Sequence, residues 1–184
     1  MVRRSYLSTE LRRGPSPQAW ILPLTEDECS GAGRLFGGTG LGAAVRALEA
    51  DASRPLVWAT AQFISHAVPG EDLTLEVDLL AEGRATTQAR VRGHVDGREV
   101  IAVFATLGRR DVARSGVWVF PPDAPPPEDC PPFPSRSATR SVSANLERRL
   151  VRGRTVDHEP AMDDGRVAMW VRVPGHLVVD PAFL

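Results

Sequence analysis

Apolar residues change their period along the chain, and the changes mark out its elements. Residues 1–17 are polar and arginine-rich and end in Gly14-Pro15-Ser16-Pro17, which reads as an N-terminal arm. Trp20-Ile21-Leu22-Pro23-Leu24 is a short apolar run between turn residues and predicts a strand. From Thr39 to Ala50 the period is helical: Leu41, Val45 and Leu48 recur at spacings of four and three, with Gly42, Ala43, Ala44 and Ala47 between them. A helix so rich in small side chains is expected to be buried at close range. Four extended segments follow. Leu56 to His66 runs up to Pro69-Gly70, and Leu73, Leu75, Val77 and Leu79 then alternate with Thr74, Glu76, Asp78 and Leu80. After the turn at Glu82-Gly83, Thr87, Ala89, Val91 and Val95 alternate with Gln88, Arg90, Arg92 and His94. Asp96-Gly97 is a hairpin signal, and Val100 to Leu107, apolar almost throughout, predicts a central strand. The predicted order is a strand, a helix and an antiparallel meander of four strands. This is an α+β pattern in which the sheet wraps the helix, with an unspecified α+β sandwich as the alternative.

Beyond residue 110 the pattern changes. Eight of the 16 prolines fall between Pro121 and Pro134, and such a stretch is extended, stiff and unable to join a sheet interior. Residues 111–140 are therefore expected to form a linker over the surface, with Trp118 and Phe120 anchoring its start. Val142 to Val151 predicts a strand, Asp163-Asp164-Gly165 a turn, and Arg166 to Val173 another strand with Val167, Met169, Val171 and Val173 on one face. Asp180-Pro181 looks like the capped opening of a helix. Two strands with no helix to wrap have no core of their own. The apolar face within 141–184 is thus expected to pack on the first domain or on another chain.

Composition narrows the function. A formal net charge of -1 gives no pull toward nucleic acid or an anionic membrane. No apolar stretch approaches ~18 residues, and the N-terminus MVRRSYLSTELRRG lacks the apolar core of a signal peptide. Cys29 and Cys130 form no metal-ligand spacing; as free thiols they suit a reducing cytoplasm, the expected location. All 22 basic residues are arginine, which excludes Schiff-base chemistry and a phosphate-loop lysine. The sequence holds no Gly-x-Ser-x-Gly, His-Glu-x-x-His, Cys-x-x-Cys or Gly-x-Gly-x-x-Gly. Serine-hydrolase, zinc and dinucleotide sites therefore have no support, and neither a metal nor a cofactor is expected.

Arg34-Leu35-Phe36-Gly37-Gly38 ahead of the small-residue helix, then Ala59-Thr60-Ala61-Gln62-Phe63 running to Pro69-Gly70, resembles the type II acyl-CoA thioesterases. So do Glu82-Gly83-Arg84, Gln88-Ala89-Arg90-Val91 and Ala105-Thr106-Leu107. In the tail, Leu146-Glu147-Arg148-Arg149 and Met169-Trp170-Val171-Arg172 are similar to the first two strands of a second unit. The resemblance implies a hotdog fold in residues 18–110, an antiparallel sheet around a central helix, and an incomplete second hotdog in 141–184. It implies an acyl-CoA thioesterase-like protein that hydrolyses or binds acyl-CoA or a similar thioester, coenzyme A entering only as part of the substrate. It also implies a covered sheet edge, hence a homodimer or pairing with a further C-terminal half. Two departures accompany it. Thr39 stands where many members have glutamine, and the family's catalytic aspartate falls in the second unit's helix, past the residues present here.

A thioester hydrolase needs donors for the developing oxyanion and a group that activates water. Gly37, Gly38 and Thr39 are candidates for the first role, because the opening N–H groups of a helix lack intrahelical partners and the helix dipole reinforces them. The alternative is that the glycines merely permit tight packing. Glu49 and Asp51 lie at the far end of the helix. His66, near the end of the strand after the helix, is the remaining candidate for water activation, against the commoner role of a surface or packing residue. His94 lies on the polar side of its strand, and His158 and His176 in loops. Arg90 and Arg92 either meet coenzyme A phosphates or form a solvated face. Three functions stay open: the thioesterase-like one, a non-catalytic acyl-thioester-binding hotdog, and a hotdog hydratase, which would need an acid facing His66.

Overall fold

The computed structural model describes residues 11–109, 116–133, 140–153 and 166–174. Strands β1 (Arg12–Arg13) and β2 (Ala19–Pro23) precede helix α1 (Gly37–Ala52), which is followed by β3 (Leu56–Phe63), β4 (Asp72–Glu82), β5 (Thr86–Val95) and β6 (Arg98–Gly108). These six strands form one antiparallel sheet in the order β1-β2-β4-β5-β6-β3. The predicted four-strand meander is therefore corrected to three, β4-β5-β6. Strand β3 sits at the far edge on β6, with Thr60 opposite Phe104. The chain reaches β4 from β3 by crossing past the start of α1. There the Leu35 N–H donates to the Ala67 carbonyl at 2.8 Å, and Leu24 is hydrogen-bonded to both Gly70 and Glu71.

The inner face of the sheet closes on α1. Leu73, Leu75 and Val77 of β4, Val91 of β5, and Ile101, Val103 and Leu107 of β6 share one buried cluster with Ala43, Ala44, Ala47 and Leu48 of the helix. Strand β5 alternates throughout, its inward positions Thr87, Ala89, Val91, Gly93 and Val95 all buried. On the outer face Arg90 pairs with Asp78 at 2.7 Å and Arg92 with Glu76 at 3.0 Å. Helix α1 starts two residues before the predicted Thr39, since Gly37 and Gly38 adopt helical backbone, and it ends on Ser53 in the left-handed region at φ 51°. Strand β3 stops at Phe63, short of His66, where Ile64 and Ser65 both direct their N–H groups at the Val100 carbonyl.

The described part of the arm is tied down. Arg13 lies 3.8 Å over the Trp20 ring and donates to Asp51 at 2.8 Å, and Asp51 also accepts from the Trp20 indole at 3.2 Å. The rest of the arm, residues 1–10, and the helix expected from Asp180 lie outside the described residues.

In the C-terminal part, the strand expected over Val142 to Val151 divides into a 3₁₀ turn (Val142–Asn145) and β7 (Glu147–Arg152). Ser141 is the reason: its hydroxyl caps the turn by accepting from the Ala144 N–H. Strand β7 pairs with β8 (Ala168–Arg172) in a separate two-stranded sheet. The Pro-rich segment meets this small sheet at its edge, where Phe133 donates to the Arg148 carbonyl and Leu150 to the Pro131 carbonyl, both at 2.9 Å. Proline lacks an N–H but still accepts, which suits an edge. Trp118 and Phe120 do not anchor the segment, being 83% and 78% exposed. The interior beneath the sheet is already filled by α1 and leaves them no site. Arg140 pairs with Asp27, and the Val142 N–H donates to the Cys29 carbonyl at 2.9 Å, so the chain rejoins the first domain there. The face of Val167, Met169 and Val171, expected to pack on the first domain or another chain, is exposed in this chain.

Gly93 of β5 is closely packed by β6 and β4: an added Cβ would stand 2.5 Å from Cγ2 of Ile101 and 3.1 Å from Cδ2 of Leu75. A branched side chain and a central strand cannot give way cheaply. Gly93→Ala should lower stability by about 1–3 kcal/mol, read as a shift of the urea midpoint at unchanged slope. A midpoint equal to the parent's would refute this packing.

Candidate active site

The entry to α1 is fixed by backbone hydrogen bonds on both preceding residues. Leu35 donates to Ala67 at 2.8 Å and Phe36 to Glu28 at 3.0 Å. Phe36 is the N-cap residue and supplies no side-chain cap, and the first intrahelical bond is made by the Gly40 N–H to the Phe36 carbonyl at 3.1 Å. The N–H groups of Gly37, Gly38 and Thr39 are thus the ones this helix geometry leaves for an outside acceptor. The predicted trio lies in one turn, with Gly38 exposed, Gly37 half-buried and Thr39 buried.

Two aromatic rings bound this turn, and sequence reasoning did not assign them. A Cβ on Gly37 would stand 2.9 Å from Cζ of Phe63, and one on Gly38 2.7 Å from Cε1 of Phe36. The rings are 60% and 44% exposed, respectively. A signal for Phe63 was available, since it shares the parity of Ala59 and Ala61, the small residues of β3 that pack on the core. The glycines therefore have a packing role, because both rings lie where a side chain would go. The same lack of a side chain leaves the backbone of Gly38 accessible.

His66 follows β3 in the crossing loop, one residue before Ala67, so its backbone runs beside the entry to α1. Its carbonyl accepts from Arg98, which also reaches Ser65 Oγ and Glu71. The residue is exposed. At the other end of α1, Glu49 accepts from the Leu56 N–H at 2.7 Å, and Asp51 is held by Arg13 and Trp20. Arg90 and Arg92 are paired with carboxylates, and His94 Nε2 is 4.0 Å from Glu76 Oε1. His158 and His176 lie outside the described residues.

A cleft of about 1170 Å³ opens near the far end of α1, beside Arg13, Gln18, Asp51, Asp78, Glu82 and Arg90. Its arginines are already paired with Asp51 and Asp78. Ala50, Val77, Leu79 and Leu80 line it as well, so its wall is mixed, and it includes none of the residues of the helix start. Among the described residues no group of three or more His, Cys, Asp or Glu could hold a metal ion. None of their helices is long and apolar enough to cross a membrane.

Residues 25–108 match the acyl-CoA thioesterase N-terminal domain family. This match takes in a little under half of the 184 residues. The chain resembles a proposed thioesterase from Novosphingobium aromaticivorans at 30% identity and a TM-score of 0.74, over 89% of this chain and 64% of that one. The fold is shared with a hot dog protein of unknown function from Alicyclobacillus acidocaldarius, at 21% identity and a TM-score of 0.71, over 89% and 60% of the two chains. It is also shared with the tesB protein of Mycobacterium avium subsp. paratuberculosis, at 24% identity and 0.69, over 97% and 64%. The present chain thus spans about three-fifths of the length of these solved proteins. Comparison with curated proteins gives no match.

Cys29, at the docking point of Val142, is a buried free thiol ahead of α1. Burial, with Glu28 and Glu26 nearby, pushes its thiol up to about 11. Raising a thiol's pKa keeps it neutral until the pH nears that value, so at neutral pH Cys29 is not a thiolate nucleophile. Iodoacetamide at pH 8 should leave Cys29 unmodified in the folded protein and label it after denaturation, as read by peptide mass spectrometry. Rapid labelling of the native protein would contradict this assignment.

Proposed function

We propose that the thioesterase domain binds acyl-CoA or a similar thioester with its carbonyl oxygen at the N-terminus of α1. The observation that carries this reading is the uncapped first turn, where Gly37, Gly38 and Thr39 present N–H groups to one side of a helix of 16 residues. Donors already in place, reinforced by the helix dipole, stabilise the charge that grows on a thioester oxygen under attack. Coenzyme A would enter as part of the substrate. Hydrolysis further requires a group that takes a proton from water as it adds to the carbonyl carbon, before the carbon–sulfur bond breaks and the thiolate leaves. In this chain His66 is the candidate for that role, on the loop beside the helix entry. Binding without hydrolysis is the second reading, favoured by the exposure of His66, which leaves its ring without a buried setting to orient it.

Gly38→Val should weaken binding of a non-hydrolysable acyl-CoA analogue by about tenfold or more, since the new side chain would crowd the backbone donors and meets the Phe36 ring beside them. Calorimetric titration of a variant with parent-like circular dichroism is the measurement. Unchanged affinity would leave the glycines with a packing role alone. In the same preparation, thioester cleavage that is lost in His66→Ala would support hydrolysis, and binding without cleavage the second reading.

We also propose that the edge of the sheet is covered by a second hotdog, from another copy of the chain or from further sequence. Strand β3 is an edge strand, and Val57, Trp58, Phe63 and Ile64 along it and just beyond it are exposed. Edges of that kind are seldom left open. Light scattering of the 184-residue chain should give the mass of a dimer; a monodisperse monomer would count against the pairing by a second copy.

A further inference from the structure

Thr39, the third residue of α1, is only 2% exposed, and its Oγ1 is buried with no hydrogen-bond partner among the described residues. A dry, unbonded hydroxyl is costly, and valine would fill the same space without that cost. Threonine in a helix usually relieves itself by bonding a carbonyl three or four residues back. For Thr39 those carbonyls belong to Phe36 and Leu35, and the Phe36 carbonyl takes the Gly40 N–H instead. The local escape is not used. Helical side chains lean toward the N-terminus, over the residues three and four positions back, which directs this side chain toward the Leu35-Phe36 entry of the helix.

An uncapped helix start and an orphan hydroxyl in the same turn are independent features that call for the same thing, an acceptor from outside the chain. Resting on the thioester reading above, we propose that the Thr39 side chain is a further donor to the acyl carbonyl oxygen. The site would then recognise the carbonyl through a side chain as well as through backbone. The rings of Phe36 and Phe63 border the turn and are exposed on their outer sides. A site with a buried donor of this kind discriminates strongly against a ligand that lacks the matching oxygen.

Two coenzyme A derivatives separate the contributions. One is the ketone analogue of hexanoyl-CoA in which a methylene separates sulfur from carbonyl; the other is S-hexyl-CoA, a thioether with no carbonyl. Titration calorimetry of the parent, Thr39→Val and Thr39→Ser should show Thr39→Val binding the ketone about tenfold more weakly, the loss expected for one hydrogen bond. Affinity for S-hexyl-CoA should be unchanged, which also certifies that the variant is folded. Thr39→Ser keeps the hydroxyl and should stay within about twofold of the parent for both ligands. Without ligand, Thr39→Val should melt a few degrees higher, because the orphan group is gone. Equal ketone affinity in Thr39→Val and the parent would overturn the inference and leave the backbone site intact. A parent chain that binds neither derivative would remove the thioester reading itself, and the inference with it.

Discussion

The rest of the domain depends on how closely the backbone of α1 approaches the sheet. Ala43, Ala44 and Ala47 are fully buried on the helix, and a Cβ on Gly40 would lie 3.4 Å from Leu35 and 3.6 Å from Ile101. Side chains this small let the strands curve around the helix, while the leucines and valines of β4, β5 and β6 fill what remains. The helix then occupies the space beneath the sheet, and the chain leaving β3 must pass its end to reach β4. That passage lays the loop holding His66 and Ala67 alongside Leu35. The candidate site thus owes its position to the same close packing that stabilises the core.

A first turn with two glycines is a poor helix start, since each glycine costs about 1 kcal/mol relative to alanine. Packing offsets part of this through the rings of Phe36 and Phe63. The buried hydroxyl of Thr39 is a second local cost, and both fall in one turn of an otherwise well-packed element. Local rules are commonly broken where a protein meets a ligand. Glu28 and Asp51 are satisfied more ordinarily: buried Glu28 accepts from the Thr25 backbone and hydroxyl in a capping box, and Asp51 binds Arg13 and Trp20.

Much of this was legible in the sequence, for reasons that differ by element. Strands β4, β5 and β6 follow from alternation and from Asp96-Gly97, whose positive φ values of 48° and 80° are those a tight hairpin turn requires. The neighbour of β3 was not legible, because alternation reports which face is buried and says nothing about which strand lies beside it. The start of α1 was placed two residues late because glycine propensity argues against the backbone that the Leu35 and Phe36 hydrogen bonds impose. Trp118 and Phe120 were expected to be anchors on size alone, yet burial depends on an unoccupied apolar surface as much as on the residue. For the site, the Gly37-Gly38-Thr39 turn could be read directly, whereas Phe36 and Phe63 came to border it only through the fold.

The exposed run Val117–Phe120 has a consequence for the protein's colloidal behaviour. Four adjacent large apolar residues with high strand propensity are the raw material of cross-β stacking. Segments that zip together in this way usually need six or seven such residues, with no proline and few glycines. Here Gly116 precedes the run, and Pro121-Pro122 follows it without an N–H to offer a neighbouring chain. The flanking residues act as gatekeepers, confining the apolar run to four residues, fewer than a fibril spine usually needs.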